Sequence, residues 1–283
     1  MTRKNIFEIL GETYDIENEF NVIKTLFFEP TLVYGPYLGE KSYIPIEHVV
    51  DNNLFFAWKQ RYSCLNTVDL KQKLKLSFVS NGNLNNKILC LEYICNMIEL
   101  INTKLSYPTY QKTKEFVILE KNIELFLEHI NYEKLVIKDE EKVILVPKDP
   151  AATAVAEISS KDVAFAILKY HHASLKGQIE EKRKLLLSIA NEYEPLLNKP
   201  IAGFKEYFDK ATNMLNNMNI RHNNKSGKNK KELVAQMGDD ELESWYDELY
   251  QLLLFCVLIK DNKERKDKVD DLLKRINVKP EKQ

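Results

Sequence analysis

Arg221 and His222 stand side by side in NNMNIRHNNKSGKNKK (216–231), followed by Asn223, Asn224 and four lysines, Lys225, Lys228, Lys230 and Lys231. These residue types can hold phosphate and cut RNA without a metal. Such cleavage needs a base for the 2′-hydroxyl proton, an acid for the leaving oxygen and a cation for the phosphorane charge. Histidine titrates near neutrality, at about 6.5, and so suits both proton transfers. A guanidinium stays protonated, and its planar fork matches two phosphate oxygens. Asn223 and Asn224 can donate to phosphate or base edges, and the lysines attract a polyanion in a salt-dependent way. The competing reading is a solvated loop between helices, where lysines are common and a lone histidine is structural.

Elsewhere the chain offers less chemistry. His171 and His172, in LKYHHASLKG, are adjacent on an expected helix and point in different directions. They cannot share one metal as an i, i+4 pair would, though either can reach the loop if their helix packs beside it. His48 and His129 have no partner in sequence. The acidic run Asp239, Asp240, Glu241, Glu243, Asp247, Glu248 reads as a capping box, Asp240 with Glu243, and a solvated helix face. Glu180 through Lys184 read as surface charge with i, i+4 pairing. Glu192 or Glu194 is placed to salt-bridge Arg221, which would make that arginine structural. Trp58 and Trp245 read as core or interface anchors. The sequence has no Walker loop, Rossmann glycine pattern, zinc spacing or nucleophile elbow. No metal or cofactor is expected.

The elements that must position the loop are helical. Only eight glycines and nine prolines occur in 283 residues, so breakers are few. Lys and Arg number 41 against 42 Asp and Glu, so a nucleic-acid site would have to be local. The four cysteines, Cys64, Cys90, Cys95 and Cys256, lack metal-knuckle spacing and read as core thiols. No leader h-region is apparent, and the longest apolar run, LYQLLLFCVLI (249–259), is too short for a bilayer. The expectation is a cytoplasmic protein that does not enter membranes.

Periodicity predicts helices over 15–28, 47–62, 83–105 and 111–130, with a short one from Thr67. The segment FFEPTLVYGPYLGEKSYIPIEH reads as an irregular aromatic connection. In it Phe27, Phe28, Tyr34, Tyr37 and Tyr43 form either a recognition surface or a satellite core. LVIKDEEKVILVP (135–147) reads as a β-hairpin, and KDPAATA after it as a boundary. Helices are predicted over 160–175, 178–197 and 204–218, then one from Gly238 that breaks at Asp261–Asn262, then a charged helix over 263–276. The chain divides into 1–150, a helical domain with one hairpin, and 151–283, a helical bundle.

The stretches LKGQIEEKRKLLLSIANEYEPL (175–196) and LNNMNIRHNN (215–224) resemble the HEPN superfamily, and most closely its abortive-infection and prokaryotic defence members. The resemblance covers roughly 159–276. It implies a four- to five-helix bundle and a homodimer. Two Arg-polar motifs, each closed by a histidine four to six residues later, would form a metal-independent endoribonuclease site. Arg221 and His222 match the first positions. The closing histidine is absent, since Ser226, Gly227 and Lys228 stand in its place. Two functions follow as expectations. One is a defence or toxin-type ribonuclease in phage defence, leaving 2′,3′-cyclic phosphate ends. In it Arg221 holds the phosphate, His222 moves the proton, and Asn223, Asn224, Lys225, Lys228, Lys230 and Lys231 position the strand. The other is a non-catalytic module that docks RNA, a nucleotide or a regulatory protein partner.

Overall fold

A computed structural model describes residues 14–34, 42–79, 82–105 and 110–276. The fold is mostly α, with two small antiparallel sheets among the described residues. The chain forms two compact units, Met1–Lys148 and Asp149–Gln283.

In the first unit, helix α1 (Ile16–Phe28) begins where the Asp15 carboxylate accepts the amides of Glu17 and Asn18. Its apolar stripe of Phe20, Ile23 and Phe27 is buried. A short strand β1 (Leu32–Tyr34) follows, then β2 (Ser42–Ile44) and helix α2 (Ile46–Asn53). Helix α3 (Thr67–Lys73) and the long α4 (Leu84–Lys104) are each capped by an asparagine, Asn66 and Asn83. Strand β3 (Tyr110–Lys112) precedes α5 (Lys114–His129), which packs against α1. The hairpin β4 (Tyr132–Ile137) and β5 (Lys142–Pro147) closes the unit.

Here α4 is apolar nearly all round, as a central helix must be. Its polar residues finish the sheet. Asn96 donates to the Val143 carbonyl and accepts its amide (2.8 and 2.9 Å), and Glu92 accepts the Leu145 amide (2.8 Å). The free edge of β5 is thereby satisfied by side chains instead of a third strand.

Several expectations change in this unit. The aromatic connection is not irregular throughout: β1 pairs with β2 and with β3, giving the order β2-β1-β3. Phe27 is core, Phe28 packs edge-on against Phe78, and Tyr43 is exposed. Tyr37 and the side chain of Tyr34 lie outside the described residues, as does 1–13. The helix predicted over 47–62 stops at Asn53 and gives way to two 3-10 turns. The reason is tertiary: Trp58, Lys59 and Gln60 each donate a side-chain hydrogen bond to the carbonyls of Glu141, Asp139 and Glu140 at the hairpin turn.

The described residues of the second unit form helices joined by loops, with no strand. It contains α6 (Pro150–Glu157), α7 (Lys161–Lys169), α8 (Ile179–Glu192), α9 (Glu194–Leu197), α10 (Lys205–Asn217), α11 (Glu232–Gln236) and α12 (Asp239–Ile276). KDPAATA, expected as a boundary, spans the division between the units and opens α6: Pro150 fits a first helical turn, and Asp149 accepts the amides of Ala151 and Ala152. The organising element is α12, 38 residues and about 57 Å long. It packs against α6, α8 and α10 through Leu242, Tyr246, Leu249, Tyr250, Leu253, Leu254 and Val257. Each such side chain stabilises the fold by about 2 kcal/mol through burial.

The predicted break at Asp261–Asn262 does not occur. Neither residue is a strong breaker, and Asp261 pairs with Arg265 one turn on (2.6 Å). The expected capping box is also absent: Gly238 supplies the first carbonyl of α12, and Glu243 turns elsewhere. Of the two tryptophans expected as core or interface anchors, Trp58 is buried and Trp245 is 45% exposed, so Trp245 is not a core anchor.

Candidate functional site

The Arg-His loop begins where α10 ends. Helices often stop on a residue in the left-handed region, and asparagine tolerates it better than most non-glycine residues. Asn219 adopts φ 61°, and the buried Ile220 follows. Asn219 then ties the loop together. Its side-chain oxygen accepts the Asn224 amide (3.0 Å), while the Asn224 side-chain oxygen accepts the Asn219 amide (2.8 Å). Asn224 also donates to the Asn229 carbonyl (2.9 Å), and its own carbonyl accepts the Lys231 amide (2.8 Å). The Asn219 carbonyl receives Arg183 Nε of α8 (2.8 Å) and faces the Tyr246 hydroxyl of α12 (3.5 Å). The loop is therefore built on two helices of the bundle.

This corrects one expected role. Asn224 is 1% exposed and its polar atoms are occupied, so it builds the loop and has nothing to offer a strand. Asn223 is exposed, but its carboxamide oxygen accepts the amides of Lys225 and Ser226 in an Asx turn. Gly227, at φ 76°, lets the chain turn back toward Lys231.

Arg221 is largely enclosed, with its side chain 15% exposed. Nη2 lies 3.3 Å from Glu194 Oε1 of α9, yet it makes no hydrogen bond and is shut off from solvent. Of the two carboxylates the sequence offered to Arg221, Glu194 is the one beside it, while Glu192 bonds Ser160. His222 is exposed and its ring has no hydrogen bond or ion pair among the described residues. Lys225 leans toward Asp239 (3.5 Å) and Lys230 toward Glu232 (2.9 Å). Lys228 and Lys231 are exposed and form no ion pair among the described residues. The structure thus presents Arg221, His222, Lys228 and Lys231 on one short loop.

A second polar cluster was not foreseen. Lys182, expected as surface charge, is 4% exposed and ion-pairs with Glu243 Oε1 (2.8 Å) and Asp247 Oδ1 (2.7 Å) of α12. Its ammonium also lies 5.0 Å from the Tyr170 ring centre. Tyr170 stacks flat on Tyr250 (4.2 Å between centres), and His171 stands edge-on to both rings. Burial pushes the Tyr170 and Tyr250 hydroxyls far above the ordinary tyrosine range. Burial lowers the His171 pKa, more strongly than Asp247 raises it. His172 is buried, with Nδ1 against the Ser174 hydroxyl (2.8 Å). The two histidines therefore belong to the core around α7 and not to the Arg221 loop. The only sequence signal for Lys182 was its register: it lies one turn before Leu186, on the buried stripe of α8.

Among the described residues, no three His, Cys, Asp or Glu side chains gather as metal ligands, and no helix is long and apolar enough to cross a membrane. The chain matches no protein-family model, no curated protein and no solved structure.

Proposed function

We propose that the second unit binds RNA through the Arg221–Lys231 loop and acts as a defence or toxin-type, metal-independent endoribonuclease. Arg221 takes the scissile phosphate, His222 transfers the proton, and Lys228 and Lys231 hold the flanking backbone. In the HEPN-like reading two protomers act together. The observation that carries this reading is the state of Arg221. Its Nη2 is already desolvated and lacks a hydrogen bond, with one carboxylate beside it at 3.3 Å. A guanidinium nitrogen in that condition lacks a hydrogen-bond acceptor, which a phosphate oxygen reaching Arg221 would supply.

A second reading, a non-catalytic RNA-, nucleotide- or protein-binding module, is favoured by His222. Catalytic histidines are usually oriented by a partner on the other ring nitrogen, and His222 has none among the described residues. The experiment is incubation of the purified chain with total RNA in EDTA, beside Arg221→Ala and His222→Ala. Cleavage lost in both variants supports the enzyme. RNA binding that Arg221→Ala weakens, without cleavage by any of the three proteins, supports the module. Wild-type protein that is folded and neither binds nor cuts RNA refutes the enzyme and the RNA-binding form of the module.

A further inference from the structure

The last third of α12 leaves the bundle. No residue of the helix beyond Ile259 is buried, so its final 17 residues project about 25 Å from the packed part. A projecting helix in water is expected to be polar all round, yet this one carries Val269, Leu272, Leu273 and Ile276, 48–66% exposed. Their spacing of i, i+3, i+4, i+7 places them on one face. That is an apolar stripe with no partner among the described residues of the chain.

The sequence around the stripe indicates what covers it. Val269–Ile276 reads V-D-D-L-L-K-R-I. Read backwards, it keeps apolar opposite apolar and exchanges acid for base. Such a segment complements a copy of itself running in the opposite direction. A two-fold axis between Leu272 and Leu273 sets Val269 against Ile276 of the second copy and Leu272 against its Leu273. The same axis puts Asp270 and Asp271 of each helix beside Lys274 and Arg275 of the other. This is the self-complementary contact that a two-fold dimer requires. Within its own helix Asp270 approaches only Lys266, at 3.8 Å, an exposed contact that competes weakly.

We propose that this chain self-associates through an antiparallel pairing of Val269–Ile276 with the same segment of a second copy. The pairing does not depend on what the Arg221 loop binds. Two turns of helix from each copy make a small interface, so the association is weak and concentration-dependent.

The test is sedimentation of the full chain over roughly 5 to 500 µM, beside Asp270→Lys/Asp271→Lys, which makes the segment basic, and Lys274→Glu/Arg275→Glu, which makes it acidic. All four side chains are exposed or half-exposed, so far-UV circular dichroism should be unchanged. Expected is a wild-type mass that rises with concentration, loss of that rise in each variant alone, and its recovery in an equimolar mixture of the two. A wild-type chain that stays monomeric over the whole range overturns the proposal. So does association that survives in either variant, which would place the contact elsewhere on the chain, as in the HEPN-like dimer, or a mixture that fails to recover it, which would rule out the antiparallel pairing.

Discussion

Lys182→Met is the substitution whose cost the structure fixes most closely. The lysine is 4% exposed, with Glu243 at 2.8 Å and Asp247 at 2.7 Å. Methionine retains most of the apolar stem, so little volume is lost. What goes is the cation between two carboxylates. Removing one partner of a buried ion pair costs about 3–5 kcal/mol, because the other charge stays buried and uncompensated. Glu243 is well enclosed, with 13% of its side chain exposed, whereas Asp247 at 38% can turn to water. The lower end applies: about 3 kcal/mol, or on the order of 10 °C in melting temperature. The assay is urea unfolding followed by Trp245 fluorescence, in a Trp58→Phe background so that only the second unit reports. Neutralising the whole group, as Lys182→Met/Glu243→Gln/Asp247→Asn, should recover more than half of the loss, since a glutamine still accepts the Gly177 amide that Glu243 holds at 2.9 Å. A loss below about 1 kcal/mol for Lys182→Met would refute the argument that this pair is effectively buried.

Other consequences are separately measurable. His171 is held neutral by burial, so its folded pKa lies below its unfolded value of about 6.5; its contribution is present above that pH and lost as pH falls through the folded pKa, and His171→Phe should flatten the stability profile below pH 6.5 in urea titrations. Burial raises the Cys90 thiol to about 11 and those of Cys95 and Cys256 to about 12, so the native chain should leave all three unmodified by iodoacetamide at pH 8 and modify them only in denaturant, as intact-mass spectrometry would show. Asn96→Leu strands both the amide and the carbonyl of Val143 in the core and should cost the first unit about 2–3 kcal/mol by denaturant unfolding. Asn219→Ala loses the hydrogen bond to Asn224 and puts an alanine at φ 61°; the second unit should lose about 2 kcal/mol, while Asn219→Gly, free of the backbone strain, should lose less.

The long amphipathic helices were legible because burial and period agree: Ile88, Leu91, Ile94, Ile98 and Ile101 lie on the inner face of α4 as their spacing predicts. The hairpin was legible for the same reason at period two. What was hidden depends on contacts distant in sequence. Strands of three residues, such as β1 and β2, carry no period, and they exist because β3, some seventy residues on, pairs with the same strand. Lys182 sits among charged neighbours, and only the two acids of α12 make its burial tolerable. The Asp261–Asn262 break failed because helix propensity there is neutral and i, i+4 pairs outweigh it. In the loop, Arg221 and His222 were visible by type. That Asn224 is internal was not visible, since an asparagine that builds a turn and one that greets a ligand look alike until its partners are placed.

The two readings of Arg221 make opposite claims about Glu194, and that gives a sharper test than deleting the arginine. If the arginine is structural, the carboxylate at 3.3 Å is its purpose, and Glu194→Gln only weakens the fold. If the arginine serves an oxyanion, Glu194 is a resident competitor that a phosphate must oppose or displace. Its side chain is 51% exposed, so the pair is screened by solvent and contributes little stability, about 0.5 kcal/mol or less. Removing its charge should then leave unfolding almost unchanged and strengthen binding of a short RNA by several-fold at low salt, because the guanidinium is freed from a competing carboxylate. The gain should shrink as salt is raised and should vanish in an Arg221→Ala background, because the carboxylate acts on the ligand through that guanidinium. Fluorescence anisotropy with a labelled oligoribonucleotide reads all three. Unchanged or weaker binding by Glu194→Gln, with the fold intact, would return Arg221 to the role of a helix-anchoring ion pair and place any RNA contact on Lys228 and Lys231 instead.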